Sequence, residues 1–333
     1  MPHASSLPND LKSPITGIGS LPFTLSEEAI RFVIDLSPEI PYWPQLPRRR
    51  QGEGMIQQFV AQARPFLAAR ERQVGYAITE RNGFLEALAA SEGALDVDHA
   101  SGFFAFCEAL RRERFPHARV LKGQLTGPWT LASTLYTGQH PALQDEPLRA
   151  ALVNHLSLVA AWQVGELSRF RRPILMQVDE PAFMSVRDAE SIALARSMLA
   201  PVLTAIRAAG AIPMIHCCAR PSRELFHALA TPLSLDASTY GTECSLISHD
   251  ESLPGLALGL AAVHASPATE SSSMVNAFRE HFGANADSLA AQSLVTPVCG
   301  LALASASEAR RSFELAAQCA NEISAGRQLG TWR

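Results

Sequence analysis

The stretch Ala211-Ile212-Pro213-Met214-Ile215-His216-Cys217-Cys218-Ala219-Arg220 begins as an unbroken apolar run and ends in side chains that bind soft metals. Read as a buried strand, it sends residues i and i+2 to the same side, so His216 and Cys218 face one site and Cys217 the opposite layer. An ion that accepts imidazole and thiolate together is most often zinc. Taken alone, His-x-Cys is more readily explained as a satisfied interior histidine beside two small core thiols. What the other strands bring decides between the two.

Outward from this stretch the chain alternates. Apolar or β-branched runs recur at Ile15 to Leu21, Ile40 to Gln45, Arg119 to Leu125, Ile174 to Val178, Ile212 to Cys217, Leu233 to Ala237, Leu256 to Val263 and Leu294 to Cys299. Helix-period stretches lie between most of them, among them Ser26 to Leu36, Pro147 to Arg171, Ala189 to Ala209, Ser222 to Ala230, Met274 to Phe282 and Ala306 to Ala325. Eight strands alternating with helices predict an α/β fold, a (β/α)8 TIM barrel, whose usual size is about 250 residues and often more. The segment 48–117 is too long for an ordinary connection and is expected to be a helical insertion after the second strand, with a short hairpin near Val74 to Thr79. No linker and no internal repeat divides the chain, so residues 1–333 are expected to form one domain with an N-terminal tail over 1–13. A doubly wound alternative lacks a dinucleotide turn, because Gly17-Ile18-Gly19-Ser20 has no third glycine and runs into Pro22.

Composition narrows the function. With 47% hydrophobic and 18% charged residues, the chain can bury a large core. A formal net charge of -4 speaks against nucleic acid as a partner, and Arg48-Arg49-Arg50 is too short a basic run to change that. The N-terminus lacks a secretory apolar region and no apolar run is long enough for a bilayer, so no membrane partner and a cytoplasmic location are expected. Six cysteines in a reducing compartment are better explained as ligands or core residues than as disulfides.

In such a barrel, chemistry gathers where strands run into their following loops. Gly19-Ser20, Gln124 to Pro128, Asp179-Glu180-Pro181, His216 to Cys218, Asp236, His264 and Cys299-Gly300 all stand at expected strand ends. That placement brings Cys299 and Asp236 toward His216 and Cys218, giving N, S, S and O donors that suit tetrahedral zinc. Thiolate ligands lower the Lewis acidity of the metal, which favours activating a thiol substrate over activating water.

These strings resemble a known family. Gly17-Ile18-Gly19-Ser20-Leu21-Pro22, Gln124-Leu125-Thr126-Gly127-Pro128, Gln177-Val178-Asp179-Glu180-Pro181-Ala182, His216-x-Cys218 and Cys299-Gly300-Leu301 follow the order and approximate spacing of the C-terminal catalytic barrel of cobalamin-independent methionine synthase. The resemblance spans nearly the whole chain. It implies a zinc-dependent methyltransferase acting on the thiol of homocysteine, with His216, Cys218 and Cys299 as ligands. It also implies a carboxylate seat at Ile18, Gly19 and Ser20, and Asp179 as partner of the ammonium group. Where the family has a glutamate ligand, this chain has Leu235-Asp236-Ala237-Ser238, so the fourth ligand is Asp236, Glu243 or water. Where the family has His-Ser-Pro, it has Ala265-Ser266-Pro267, with the proton-handling candidate His264 one place earlier. The family's N-terminal barrel is not among these residues, so a stand-alone form is expected. Its methyl donor would be methylcobalamin or a methylated corrinoid protein, in preference to methyltetrahydrofolate.

Two other readings stand beside this one, a metal-free decarboxylase like uroporphyrinogen decarboxylase and a noncatalytic zinc-binding barrel. Glu53 could be a second ammonium partner, though an exposed helix start explains it as well. Lys122, inside a strand, needs an acidic neighbour to offset the cost of burial.

Overall fold

The computed structural model describes residues 7–8, 11, 14–70, 74–218, 224–225, 229, 231–237, 256–264, 269–283, 286 and 293–323. Its elements in chain order begin with α1 (Ser26–Leu36), β1 (Leu67–Ala69), β2 (Tyr76–Ile78), α2 (Arg81–Ala89) and α3 (Ser101–Arg111). There follow β3 (Leu121–Thr126), α4 (Pro128–Thr134), β4 (Leu135–Thr137), β5 (His140–Pro141), α5 (Glu146–Ser168), β6 (Ile174–Asp179) and α6 (Ala189–Ala208). The last are β7 (Ile212–Cys217), β8 (Leu233–Asp236), β9 (Leu256–Ala261), α7 (Ser271–Phe282), β10 (Leu294–Pro297) and α8 (Ala306–Ile323).

Six strands form one parallel sheet in the order β10-β9-β8-β7-β6-β3, and a separate small mixed sheet has the order β1-β2-β4-β5. The closed eight-stranded TIM barrel expected from the sequence is therefore not what forms. The architecture is a parallel half-barrel with a second sheet beside it. The first two expected strands account for the difference. Among the described residues, Ile15 to Leu21 and Ile40 to Gln45 join the structure through isolated parallel bridges, Ile15 to Val295, Ser20 to Gln45 and Tyr42 to Lys122. Over 40–47, Pro41, Pro44 and Pro47 lack the N–H that a ladder needs and leave only two residues between neighbouring prolines, so the proline-free segment 15–21 meets no regular strand on that side.

The segment 48–117 holds 3-10 turns at Gln51–Glu53 and Gln57–Phe66, the antiparallel pair β1 and β2, and helices α2 and α3. β2 also pairs in parallel with β4, so this segment is built into the small sheet.

The parallel sheet separates two apolar layers. Met176, Val178, Ile215, Cys217 and Leu235 pack in the large core with residues of α5 and α6. Val120, Leu175, Ile212, Met214 and Leu294 form a smaller cluster with Leu7, Leu11 and Ile40. Alternation along β6 and β7 places Gln177, Asp179 and His216 on the side of that smaller cluster, nearer the strand ends. Thr126, Asp179, His216 and Ser234 are paired in register across four neighbouring strands, so they stand at one level.

Among the described residues one helix, α6, is long and apolar enough to cross a membrane. In the fold it packs along α5 and against β7, and a capping box at Asp188 and Ser191 closes its N-terminus.

Candidate metal centre

Ligand atoms of His216, Cys218 and Cys299 all lie within 4.8 Å of one another, so this group could hold a metal ion. His216 is the penultimate residue of β7, Cys218 follows the strand, and Cys299 stands just past β10. The intervening Cys217 is fully buried in the large core. The His216 ring is oriented by Ser234 on the neighbouring strand, whose Oγ lies 3.0 Å from Nδ1. Its other nitrogen, Nε2, is buried without a hydrogen-bond partner among the described residues. An imidazole with one nitrogen tied down and the other buried and unpaired is oriented for ligation, because a donating Nδ1 leaves Nε2 as the lone-pair atom. The Cys218 and Cys299 thiols share a hydrogen bond, which lowers the pKa of Cys218 and raises that of Cys299.

The three ligand residues line a cleft of about 360 Å³ together with Ile18, Ser20, Gln45, Glu53, Met55, Asp179, Pro181, Gly300 and Leu303. Asp179 is nearly buried and its Oδ1 accepts a 2.6 Å hydrogen bond from Gln177 Nε2. Burial raises its pKa, while the neighbouring His216 and Lys122 and the Gln177 hydrogen bond oppose that rise. The next residue, Glu180, points elsewhere. Its carboxylate accepts from the backbone N–H groups of Trp129 and Thr130 and from the Thr130 hydroxyl, and burial lifts its pKa to about 8. Its own N–H donates to the His216 carbonyl at 2.8 Å, which joins the β3 and β6 turns to the ligand strand. Gly127 makes room for this arrangement, since a Cβ there would fall 2.2 Å from Glu180 Oε1.

Ile18, Gly19 and Ser20 are adjacent to the same cleft, and Ile18 and Ser20 line it. The Ile18 carbonyl accepts from Lys122 Nζ at 2.7 Å and from Gln177 Nε2 at 2.9 Å. The Ser20 carbonyl accepts from the Leu301 N–H at 2.9 Å, which links this turn to the Cys299-Gly300 loop.

Other candidates fare differently. Glu53 is not an exposed helix start: it is buried, pairs with Arg49 and accepts from Ser101 Oγ at 2.9 Å. Asp236 ends β8 but is not part of the ligand group, and Ser234, two residues earlier, is the residue of that strand that reaches His216. Glu243 and the Ala265-Ser266-Pro267 string lie outside the described residues. His264 is largely exposed and pairs with Glu308 at 3.2 Å, apart from the cleft. Trp129, in the turn after Pro128, is buried and donates through Nε1 to Ser185 Oγ. Ser234 is not singled out by the sequence reading, and Gln177 enters it only as the first residue of the Gln177 to Ala182 string. Each lies on the same strand face as a site residue two places away, a signal that was present in the spacing.

The fold and the site together define an α/β protein with a candidate His/Cys metal centre at the ends of parallel strands. No protein-family model matches the chain, and no curated protein does. Among solved structures it is similar to the apo form of 3-keto-D-glucoside 4-epimerase, YcjR, from E. coli, with 11% identity over 66% of this chain and 85% of that one and a TM-score of 0.39.

Proposed function

We propose that the protein is a zinc-dependent methyltransferase of the methionine synthase type, which moves a methyl group to the thiol of homocysteine to form methionine. The observation that carries this reading is that one imidazole and two thiol ligands open on the same cleft as Asp179 and the Ile18 to Ser20 turn. The resemblance of those strings to the methionine synthase family supports it. A buried, unpaired imidazole nitrogen with two cysteine sulfurs is a donor set that fits zinc, and three protein ligands leave a fourth position for substrate, as catalytic sites do.

Zinc in this position supplies a Lewis acid that lowers the pKa of a bound thiol. The residues of the chain do the rest. Asp179 pairs with the substrate ammonium group and the Ile18 to Ser20 turn receives its carboxylate, so the sulfur is held at the His216, Cys218 and Cys299 end of the cleft. Met55, Pro181 and Leu303 give the cleft apolar walls that limit water. The thiol gives up its proton to solvent water and a sulfur lone pair forms the S–C bond. The bond from the methyl carbon to the donor breaks with its electrons remaining on the donor, a methylcorrinoid, or methyltetrahydrofolate whose departing nitrogen takes up a proton from solvent. Thiol ligands and, among the described residues, cysteines without disulfides suit the reducing cytoplasm.

The test is metal analysis of purified protein followed by methionine formation with each donor at equal concentration. One zinc per chain and methionine from either donor are expected. A zinc-loaded protein that forms no methionine from either donor overturns the proposal.

A further inference from the structure

Of the 28 basic residues, only Lys12 and Lys122 are lysines, and Lys122 is fully buried. Arginine could not take this place without keeping its charge and a wide fork of donors in the interior, whereas lysine is compact and can give up its proton when buried. Burial brings the pKa of Lys122 down to about 7, with the charge of Asp179 acting the other way. The amine does not line the cleft. It donates to the Ile18 carbonyl at 2.7 Å, lies 3.4 Å from Gln124 Oε1 and stands 5.7 Å from the centre of the Tyr42 ring.

The inward-facing residues of β3 form a series. Lys122 holds the carbonyl of Ile18, Gln124 Nε2 holds that of Trp43 at 2.7 Å, and Thr126 Oγ1 holds that of Met55 at 2.6 Å. Ile18 and Trp43 stand on the two segments that join the sheet through isolated bridges, so side chains supplement the missing ladder there, while Met55 belongs to the 48–117 segment. At Ile18 the tie continues toward the substrate side. Gln177 Nε2 donates both to the Ile18 carbonyl and to Asp179 Oδ1. One chain of hydrogen bonds therefore runs from Lys122 through the Ile18 carbonyl and Gln177 to Asp179.

We propose that Lys122 is a positioning residue for recognition of the amino-acid end of the thiol substrate, setting the Ile18 to Ser20 turn and Asp179 relative to each other without touching the ligand. This inference rests on the function proposed above and adds a residue to it. Lys122 acts on the ammonium and carboxylate contacts and leaves the sulfur end alone.

The experiment compares zinc-loaded wild type and Lys122→Met by calorimetry with two probes, homocysteine and propanethiol, which has the thiol without the amino-acid group. Homocysteine affinity is expected to fall about tenfold or more in Lys122→Met, the order of one hydrogen bond to a charged group, with propanethiol affinity and zinc content unchanged. A general structural role would weaken both ligands together. A second measurement uses wild type alone. Lysine-selective labelling gives two side-chain signals, and that of Lys122 is expected to move with homocysteine but not with propanethiol, while that of Lys12 stays. If Lys122→Met keeps the full preference for homocysteine, or if the Lys122 signal ignores it, the inference is overturned and the methyltransferase proposal stands. If wild type itself shows no preference for homocysteine, both are overturned.

Discussion

The two sides of the cleft are held by different means. His216 and Asp179 stand on β7 and β6, paired in register with each other and with Ser234 and Thr126 on the outer neighbours. Ile18 and Ser20 stand on a segment held by single bridges and by side chains from β3 and β6. A ladder fixes many backbone groups at once, so a change in one side chain leaves the strand in place. A segment held by a few side-chain hydrogen bonds depends on each of them. Substitutions on the ladder side should therefore remove one chemical group cleanly, whereas substitutions behind the other side should alter the seat at a distance.

The largest effect is expected on the ladder side, at the metal. His216→Ala, Cys218→Ser and Cys299→Ser should each lose most of the zinc, measured as metal per chain after dialysis, and methyl transfer with it. Ser234→Ala sharpens the point, since it leaves all three ligands but removes the partner of His216 Nδ1. Losses from such outer partners are about 10–100-fold in metal affinity. Unchanged zinc affinity in Ser234→Ala would mean that the imidazole is held by its strand alone.

Asp179→Asn should weaken homocysteine binding by about tenfold to a hundredfold with zinc content intact, because the ammonium group loses its charged partner. The readout is calorimetry on zinc-loaded protein. A variant that loses zinc and ligand together would place Asp179 among the groups that hold the metal site itself.

How far the sequence shows this division depends on the kind of information needed. Strand alternation places His216 and Cys218 on one side and Cys217 on the other, because period-2 geometry is local. The strand-end positions of Asp179 and Cys299 follow from apolar run lengths. Apolar content also made Ile15 to Leu21 and Ile40 to Gln45 look like strands, although Pro41, Pro44 and Pro47, which interrupt the second of them, were in plain view. Reach is not local. Nothing around Glu53 indicates that Arg49 and Ser101 will enclose it, or that His264 will turn to Glu308. Asp236 has the right strand end but stands outside the ligand group.

The bridge-held side can be tested through stability as well. With a folded-state pKa of about 7 against an ordinary 10.5, Lys122 binds fewer protons folded than unfolded between those values. Stability from this group is therefore lowest below pH 7 and rises with pH through that window, by up to about 1.4 kcal/mol per pH unit. Chemical denaturation from pH 6.5 to 8.5 should show Lys122→Met lacking this rise, the difference from wild type isolating the one group. Near pH 6.5 the variant should be at least as stable as wild type, since it buries no charge. Parallel curves for the two proteins would show that Lys122 is not titrating in this range.

The smallest effect is expected at Cys217, between two residues whose substitution should remove the metal. Its side chain packs in the large core on the helix side of β7, away from His216 and Cys218. Replacing its sulfur by a hydroxyl puts a more polar group into apolar surroundings, at a cost of about 1–3 kcal/mol by comparison with other proteins. Cys217→Ser should then show a lower midpoint of unfolding while retaining one zinc per chain and homocysteine affinity within experimental error. The prediction follows from strand parity alone, because residues one apart on a strand face opposite layers. Zinc depletion in Cys217→Ser equal to that in Cys218→Ser would mean that β7 ends before Cys217, and the contrast between a ladder-held metal side and a side held by single contacts would fail with it.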